Sequence, residues 1–520
     1  MARRNTNEYI GSRTSLLLGL VLVIGLALGL GAMLLPFKYL ILGLLGIAAF
    51  ALIYWNIQIG FALFVIFNMV LPQAGPTLNL GIQVEQLGER GIHFNVHEMI
   101  MAMILVVWAI KYTRLPKWLF AILPLIPFLA LWALIKAFLE ERSPLKIPIV
   151  LYVLYSLLSC FIGLLHDAHP GVMAFRFVRT TLFVYIVFVV LSNIKTRRDF
   201  QRLVLIMLIC TMVVSAFGIL QWVMGQEWSE RVTQKYLGDW LGYPSNVNVV
   251  AGGEGVTQAF RVNSTLLHPN TLGAALVLIF PFFISLLWAY RRWWIRALLL
   301  LGLVLNLLCM FFTGSRAAWV AAGAIVLLYA IFGVFDRRLV LTVVAVAAIL
   351  IVAVLVFFIK PQFIQLRTSS SSAKQAVDIR LSQYKQAADF FWEHPFFGVG
   401  MGMEGQKLIL ENNNIRMLWA AVENFYLTYL VFYGAVGLAV FLLVWIFYWA
   451  ILLWARNNSR LDPFIRFQSE AFSLGLLGLA IAALFAAWLL FAVPMITLYW
   501  FIIGMGGSLY ELFREGKQGW

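Results

Sequence analysis

The chain's 520 residues are 62% hydrophobic and only 12% charged, against roughly 45–50% apolar and about 25% charged residues in a soluble globular chain. Its apolar residues come in runs of about 17–22, the length a helix needs to cross roughly 30 Å of hydrocarbon, and the short alternating segments of a β-barrel are missing. The net charge of +15 does not point to nucleic acid, because most Lys and Arg sit in short clusters at the ends of apolar runs, with no basic stripe interleaved with aromatics.

In chain order, crossings are predicted near 14–35, 39–55, 57–72, 96–112, 147–165, 175–193, 203–224, 269–289, 297–313, 317–334, 339–359, 425–455, 468–489 and 491–511. The first follows a charged start, MARRNTNEYIGSR, without a convincing cleavage site, so it reads as a retained helix. The stretch 118–138 is also apolar, but it holds Pro124 and Pro127 and lies between two basic segments. The fold class is therefore all-α: a polytopic transmembrane bundle of about fourteen crossings plus one re-entrant or interfacial hairpin at 118–138. Cys160, Cys210 and Cys309 all fall in apolar runs, which suits small buried hydrophobes and offers no disulfide framework.

Positive charge marks the cytoplasmic side of short loops. With both termini cytoplasmic, that rule holds along the chain only if 118–138 enters and leaves on one side. Segments 73–95, 166–174, 225–268 and 360–424 then lie outside, in the orientation of a bacterial inner-membrane protein. Within 360–424, Val377, Leu381, Tyr384, Ala388 and Phe391 follow helical spacing and predict an amphipathic helix over 374–392. Glu98, at an outer helix start, is expected to pair with an arginine or to cap its helix.

Several cations lie where orientation does not explain them: Arg176, Arg179, Arg261, Arg316 and Arg380. Each could snorkel to the interface or pair with a carboxylate. Arginine also offers a planar, permanently charged fork that fits phosphate oxygens. Arg261 and Arg316 stand beside His268-Pro269-Asn270 and Thr313-Gly314-Ser315, and together they point to an anionic ligand at the outer leaflet. The six histidines are scattered, and no His/Asp/Glu group has metal-ligand spacing, so no metal or cofactor is expected.

Four elements occur in order over roughly 261–440: R-x-N-x-x-x-x-H-P-N at 261–270, T-G-S-R-A-A at 313–318, H-P-F-F-G-V-G-M-G at 394–402 after Arg380, and E-N-F-Y-L-T-Y-L-V-F-Y-G-A-V-G-L at 423–438. This series resembles the O-antigen ligase/polymerase superfamily of membrane glycosyltransferases; before 250 only the helix pattern is similar. The resemblance implies a GT-C-like bundle with its cavity under a large extracytoplasmic loop. It divides the chain into N-terminal helices (1–250), a ligase-like catalytic region (251–455) containing loop 360–424, and C-terminal helices (456–520). The activity it implies is metal-independent, inverting transfer of glycan from an undecaprenyl-diphosphate-linked donor to an acceptor sugar hydroxyl.

By the same resemblance, Arg261 and Arg316 engage the diphosphate. Arg380, Arg176, Arg179, His268, Asn270, Ser315 and Asn424 are candidate contacts to diphosphate or glycan. Ligases of the family carry a histidine before the asparagine that opens the late span; here that position is Glu423. It can serve as general base or orient an arginine, and both readings stand. The departure places a Wzy-like polymerase ahead of a ligase acting on lipid A-core or protein. Competing classes are a lipid-linked glycan transporter or flippase and a non-catalytic scaffold. Gly398-Val399-Gly400-Met401-Gly402 has no preceding strand and reads as a tight turn, with Gly434 and Gly437 as close-packing positions; His394-Pro395 sets backbone geometry.

Overall fold

The computed structural model describes residues 37–70, 78–79, 93–113, 136, 143–166, 168–232, 260–266, 268–335, 371–402, 407–409, 416–418, 422–459, 462–487, 489 and 492–516. The expected crossings at 14–35 and 339–359, the hairpin at 118–138 and most of the expected outer loops lie outside these residues. Residues 1–60 form one compact unit and 61–520 another.

The described helices are α1 (Phe37–Trp55), α2 (Ile57–Met69), α3 (Val96–Thr113), α4 (Lys146–Leu165), α5 (Pro170–Asn193), α6 (Arg197–Met224), α7 (Gln226–Val232), α8 (Pro269–Ala289), α9 (Trp293–Phe312), α10 (Arg316–Phe335), α11 (Ser371–Glu393), α12 (Phe425–Asn458), α13 (Pro463–Ala483) and α14 (Val493–Gly516). Two short antiparallel ladders accompany them: β1 (Leu78–Asn79) with β2 (His93–Phe94), and β3 (Lys407–Ile409) with β4 (Arg416–Leu418). Eight of the helices are long and apolar enough to cross a membrane, and three shorter ones are also apolar. Twelve of the predicted crossings coincide with described helices. The amphipathic segment predicted at 374–392 is α11.

Local chemistry sets the helix starts. His169, Thr196, His268, Asn424 and Asp462 each accept a backbone N–H in the first turn that follows, satisfying donors the helix cannot pair itself. Pro170, Pro269 and Pro463 occupy first helical positions, where no N–H is needed.

Helix α8 is the buried centre, packed on α6, α9, α10 and α13. Small residues bring the helices close, as at Gly475 against the Leu278 carbonyl and Gly478 against Val277 and Ile325. Within α8, Pro281 cannot donate a hydrogen bond, and its carbonyl accepts the Tyr329 hydroxyl at 2.9 Å. A second group, α4, α5, α12 and α14, packs beside this one.

Cross-links fix which helix ends lie together. Glu98 of α3 pairs with Arg179 of α5, and Trp108 Nε1 donates to Ser192 Oγ at 2.7 Å, so α3 and α5 run parallel. The tight α4–α5 connection makes those two antiparallel. Helix α3 therefore ends, and α4 begins, at the same end of the bundle. Arg197, which stacks over Phe464 at 4.4 Å and pairs with Asp462 at 3.2 Å, shares that end with Arg456, which pairs with buried Glu470 at 3.0 Å. The opposite end gathers the starts of α8, α10 and α12 and the finishes of α6, α9 and α13.

Candidate functional site

The site begins with the loop 260–266, which is stitched to three helix ends. Val262 N donates to Phe312 O at 3.1 Å. Ser264, at φ +50°, donates its N–H to Gln221 Oε1 at 2.8 Å and its hydroxyl to Val214 O at 2.7 Å. Thr265 Oγ1 donates to Met69 O at 2.7 Å. On this support Arg261, only 5% exposed, directs Nε to Thr313 O at 2.8 Å and Nη2 to Asn270 Oδ1 at 2.7 Å. Arg261 thus staples the loop to the end of α9 and the start of α8. His268 caps α8 by accepting from Asn270 N at 3.1 Å. Desolvation and the charge of Arg261 lower its pKa, so its ring is a neutral acceptor at pH 7.

Arg316 follows in the Thr313-Gly314-Ser315 turn. Thr313 Oγ1 donates to Met310 O at 2.6 Å and accepts from Ser315 N at 3.2 Å, while Gly314 takes φ +60°. Ser315 is buried under Gly273 of α8 and does not face outward. The turn launches α10 with Arg316 as its first residue. Among the described residues, Arg316 forms neither a hydrogen bond nor an ion pair, and the charges it feels are Arg380 and Glu423.

Those two residues arrive from elsewhere in the chain. Arg380 projects from α11, and its Nη2 engages Glu423 Oε2. The pair is open to solvent, with side chains 25% and 40% exposed. Glu423 Oε1 has no hydrogen-bond partner among the described residues. One turn after Arg380, the Tyr384 hydroxyl donates to the Glu423 backbone carbonyl at 3.0 Å. Desolvation raises the Tyr384 pKa against the opposing effect of Arg380, so the hydroxyl keeps its proton. Asn424 caps α12 by accepting from Leu427 N at 3.0 Å, and its Nδ2 donates to Leu484 O at 2.9 Å. Tyr384 is a site residue that the sequence reading placed only on the apolar face of a helix; its i+4 spacing from Arg380 was the available signal.

The segment 394–402 holds α11 in place. Helix α12 is broken at Gly434, with φ +65° and ψ −175°. There the helical partners of Ala435 N and Val436 N are exchanged for Pro395 O and Phe396 O, at 2.9 and 3.0 Å. The released carbonyls of Val431 and Phe432 accept from Val399 N and Gly400 N at 3.1 and 2.9 Å, and Tyr433 O accepts the Tyr155 hydroxyl. Met401 N donates to Ser159 O of α4 at 3.0 Å. Irregular backbone in a membrane bundle persists only when such partners are supplied. A Cβ at Gly434 would collide with the Phe396 carbonyl, and one at Gly400 with the backbone of Gly163. The glycines of this segment thus serve close backbone approach. The His166 and His394 rings meet edge to face at 4.9 Å.

The α5 arginines separate. Arg179 makes a two-pronged ion pair with Glu98, whose side chain is fully buried; Nη2 to Oε2 is 2.9 Å. Glu98 Oε2 also accepts Asn95 N at 2.9 Å, so Glu98 both pairs with an arginine and caps its helix, as its position suggested. Arg176, one turn earlier, has a buried Nε with no hydrogen-bond partner among the described residues. The structure therefore brings Arg316, Arg380, Glu423 and Asn424 together; Arg261, Asn270 and Ser315 support the turn before Arg316, and His268 is exposed at the start of α8. Among the described residues, no three His, Cys, Asp or Glu side chains converge to hold a metal ion.

The fold and this end of it define a multi-pass helical membrane protein with Arg316, at the start of α10, and Arg380, within α11, close to one carboxylate. A family model described as O-antigen ligase matches residues 301–442, a span that contains Arg316, Arg380, Tyr384 and Glu423. That match supports membership of the O-antigen ligase/polymerase superfamily for the region it covers. Among curated proteins, none matches it.

Proposed function

We propose that the end carrying Arg316 faces outside the cytoplasm of a bacterial inner membrane. There the protein transfers glycan from an undecaprenyl-diphosphate-linked donor to an acceptor sugar hydroxyl, extending a surface polysaccharide. The observation that carries this reading is Arg316: a permanent cation at a helix start, held by a buried turn and engaged by no partner among the described residues. A diphosphate supplies the missing partner, and the positive end of the α10 dipole adds to the attraction.

The acceptor hydroxyl attacks the anomeric carbon on the face opposite the diphosphate, so configuration inverts. The bond from that carbon to the diphosphate oxygen breaks, and the diphosphate leaves with the electron pair. Charge grows on the leaving group, so fixed arginines stabilise the transition state more than the ground state. Arg316 and Arg380 are the direct contacts in this account, and Arg261 acts through the Thr313 carbonyl that shapes the Arg316 turn. Glu423, through Oε1, accepts the hydroxyl proton. Asn424 fixes the start of α12 beside it. No metal ion takes part in these steps.

A second reading, single transfer of a finished glycan to lipid A-core or protein, is favoured by the description of the family model. Purified protein incubated with undecaprenyl-diphosphate-linked repeat units separates the two. Products resolved by gel and mass spectrometry should form a ladder spaced by one repeat from donor alone. Transfer only after lipid A-core or acceptor protein is added would establish the ligase instead. No transfer under either condition would overturn the enzyme reading.

A further inference from the structure

Arg380 occupies a position that the proposed chemistry cannot leave unchanged. It holds Glu423 Oε2, yet it stands within electrostatic reach of Arg316, where an incoming anion would settle. A solvent-exposed ion pair is weakly held, whereas a diphosphate presents more charge and a geometry matched to a guanidinium fork. Glu423 does not depend on Arg380 for its place. Its carbonyl is held by the Tyr384 hydroxyl at 3.0 Å, and the next residue caps α12 and ties it to Leu484 O.

We propose that Arg380 is an exchangeable latch. In the free protein it rests on the Glu423 carboxylate; when the donor binds, it moves to the diphosphate beside Arg316. Both carboxylate oxygens are then available to the acceptor hydroxyl. The proton passes from that hydroxyl to Glu423 while the electron pair of the broken bond leaves on the diphosphate. Donor binding and readiness of the base are thereby one event. Tyr384 is a positioning residue, because it keeps the Glu423 peptide fixed after the side chain is released. Among the described residues, the charged and titratable groups facing Glu423 are Arg380 and Tyr384 from α11 and Arg316 from α10.

This inference rests on the proposed diphosphate site, and a binding experiment tells the two apart. The probe is sugar-free undecaprenyl diphosphate in detergent micelles, titrated against wild type, Glu423→Gln, Arg380→Gln and the double variant. The amide of Glu423→Gln keeps the shape but holds Arg380 less strongly. It should bind the probe up to about fivefold more tightly than wild type, the range an exposed ion pair allows. In the Arg380→Gln background the same change should alter affinity less than twofold.

An unchanged or weaker affinity in Glu423→Gln, or an equal gain in both backgrounds, would overturn the latch. If wild type binds and transfers normally, the diphosphate site survives that outcome. Failure of wild type to bind the probe would remove both. Melting temperatures of the four proteins establish that each is folded. A further variant, Tyr384→Phe, should lower kcat while leaving probe affinity within twofold. A parallel loss of affinity would contradict its assignment as a positioning residue.

Discussion

Two arginines from one signature series meet opposite surroundings. Arg261 is buried and directs its fork at Thr313 O and Asn270 Oδ1, whereas Arg316 forms no hydrogen bond among the described residues. Arg261→Ala should therefore lower both activity and the melting temperature, since orphaning the buried Thr313 carbonyl costs about 1–3 kcal/mol. Arg316→Ala should leave the melting temperature nearly unchanged. A thermal-shift series on the two variants checks the contrast. Histidine 394 gives a pH test. Desolvation and the neighbouring His166 lower its pKa, so above about pH 6.5 it is neutral folded or unfolded and contributes no pH dependence. As pH falls below that value, the unfolded chain takes up a proton that the folded protein resists, and stability drops. The fall in melting temperature between pH 7.5 and 5.5 should be smaller in His394→Gln.

The element that most rewards perturbation is the break in α12. Gly434→Ala places a side chain at φ +65° against Phe396; the backbone strain alone is of order 1–3 kcal/mol. A straightened helix would also reclaim Val431 O and Phe432 O from segment 394–402 and loosen the end of α11. Glycan transfer should fall by at least tenfold, judged by the differential binding that misplaced groups forfeit, although Arg380 and Glu423 remain in the chain. The transfer assay and the melting temperature should move together.

This break was poorly legible in the sequence: 425–455 is one apolar run without proline, and nothing in it tells Gly434, where the helix breaks, from Gly437, where it does not. The helices themselves were legible because each apolar run must satisfy its own backbone in lipid. The partners across the bundle were not. No periodicity assigns Glu98 to Arg179, or Tyr384 to the Glu423 carbonyl, because both are products of packing between distant segments. The buried turn around Ser315 and the burial of Arg261 were equally invisible, since motif spacing says which residues cluster and not which of them face the opening.

At the scale of the whole molecule, charge ties the two ends of the bundle to opposite roles. One end carries Arg197 with Asp462 and Arg456 with Glu470; the other carries Arg316, Arg380 and Glu423. Helix α3 ends, and α4 begins, at the first of these ends, and the proposed topology has 118–138 enter and leave on one side. In a background lacking Cys160, Cys210 and Cys309, Leu115→Cys and Arg142→Cys should both react with an impermeant maleimide only from the cytoplasmic side. Labelling of the two from opposite sides would require a full crossing at 118–138 and would invert half of the proposed topology.

The proposed function rests most heavily on Arg316 meeting the leaving diphosphate. The direct measurement is the single-turnover release of undecaprenyl diphosphate from a sugar-bearing donor, comparing wild type, Arg316→Lys and Arg316→Ala at saturating acceptor. Release by Arg316→Ala should be slower by about 10²–10³, the cost of losing one preorganised donor. Arg316→Lys should also be impaired, because a point charge does not reproduce the fork. Release by Arg316→Ala at the wild-type rate would contradict the account.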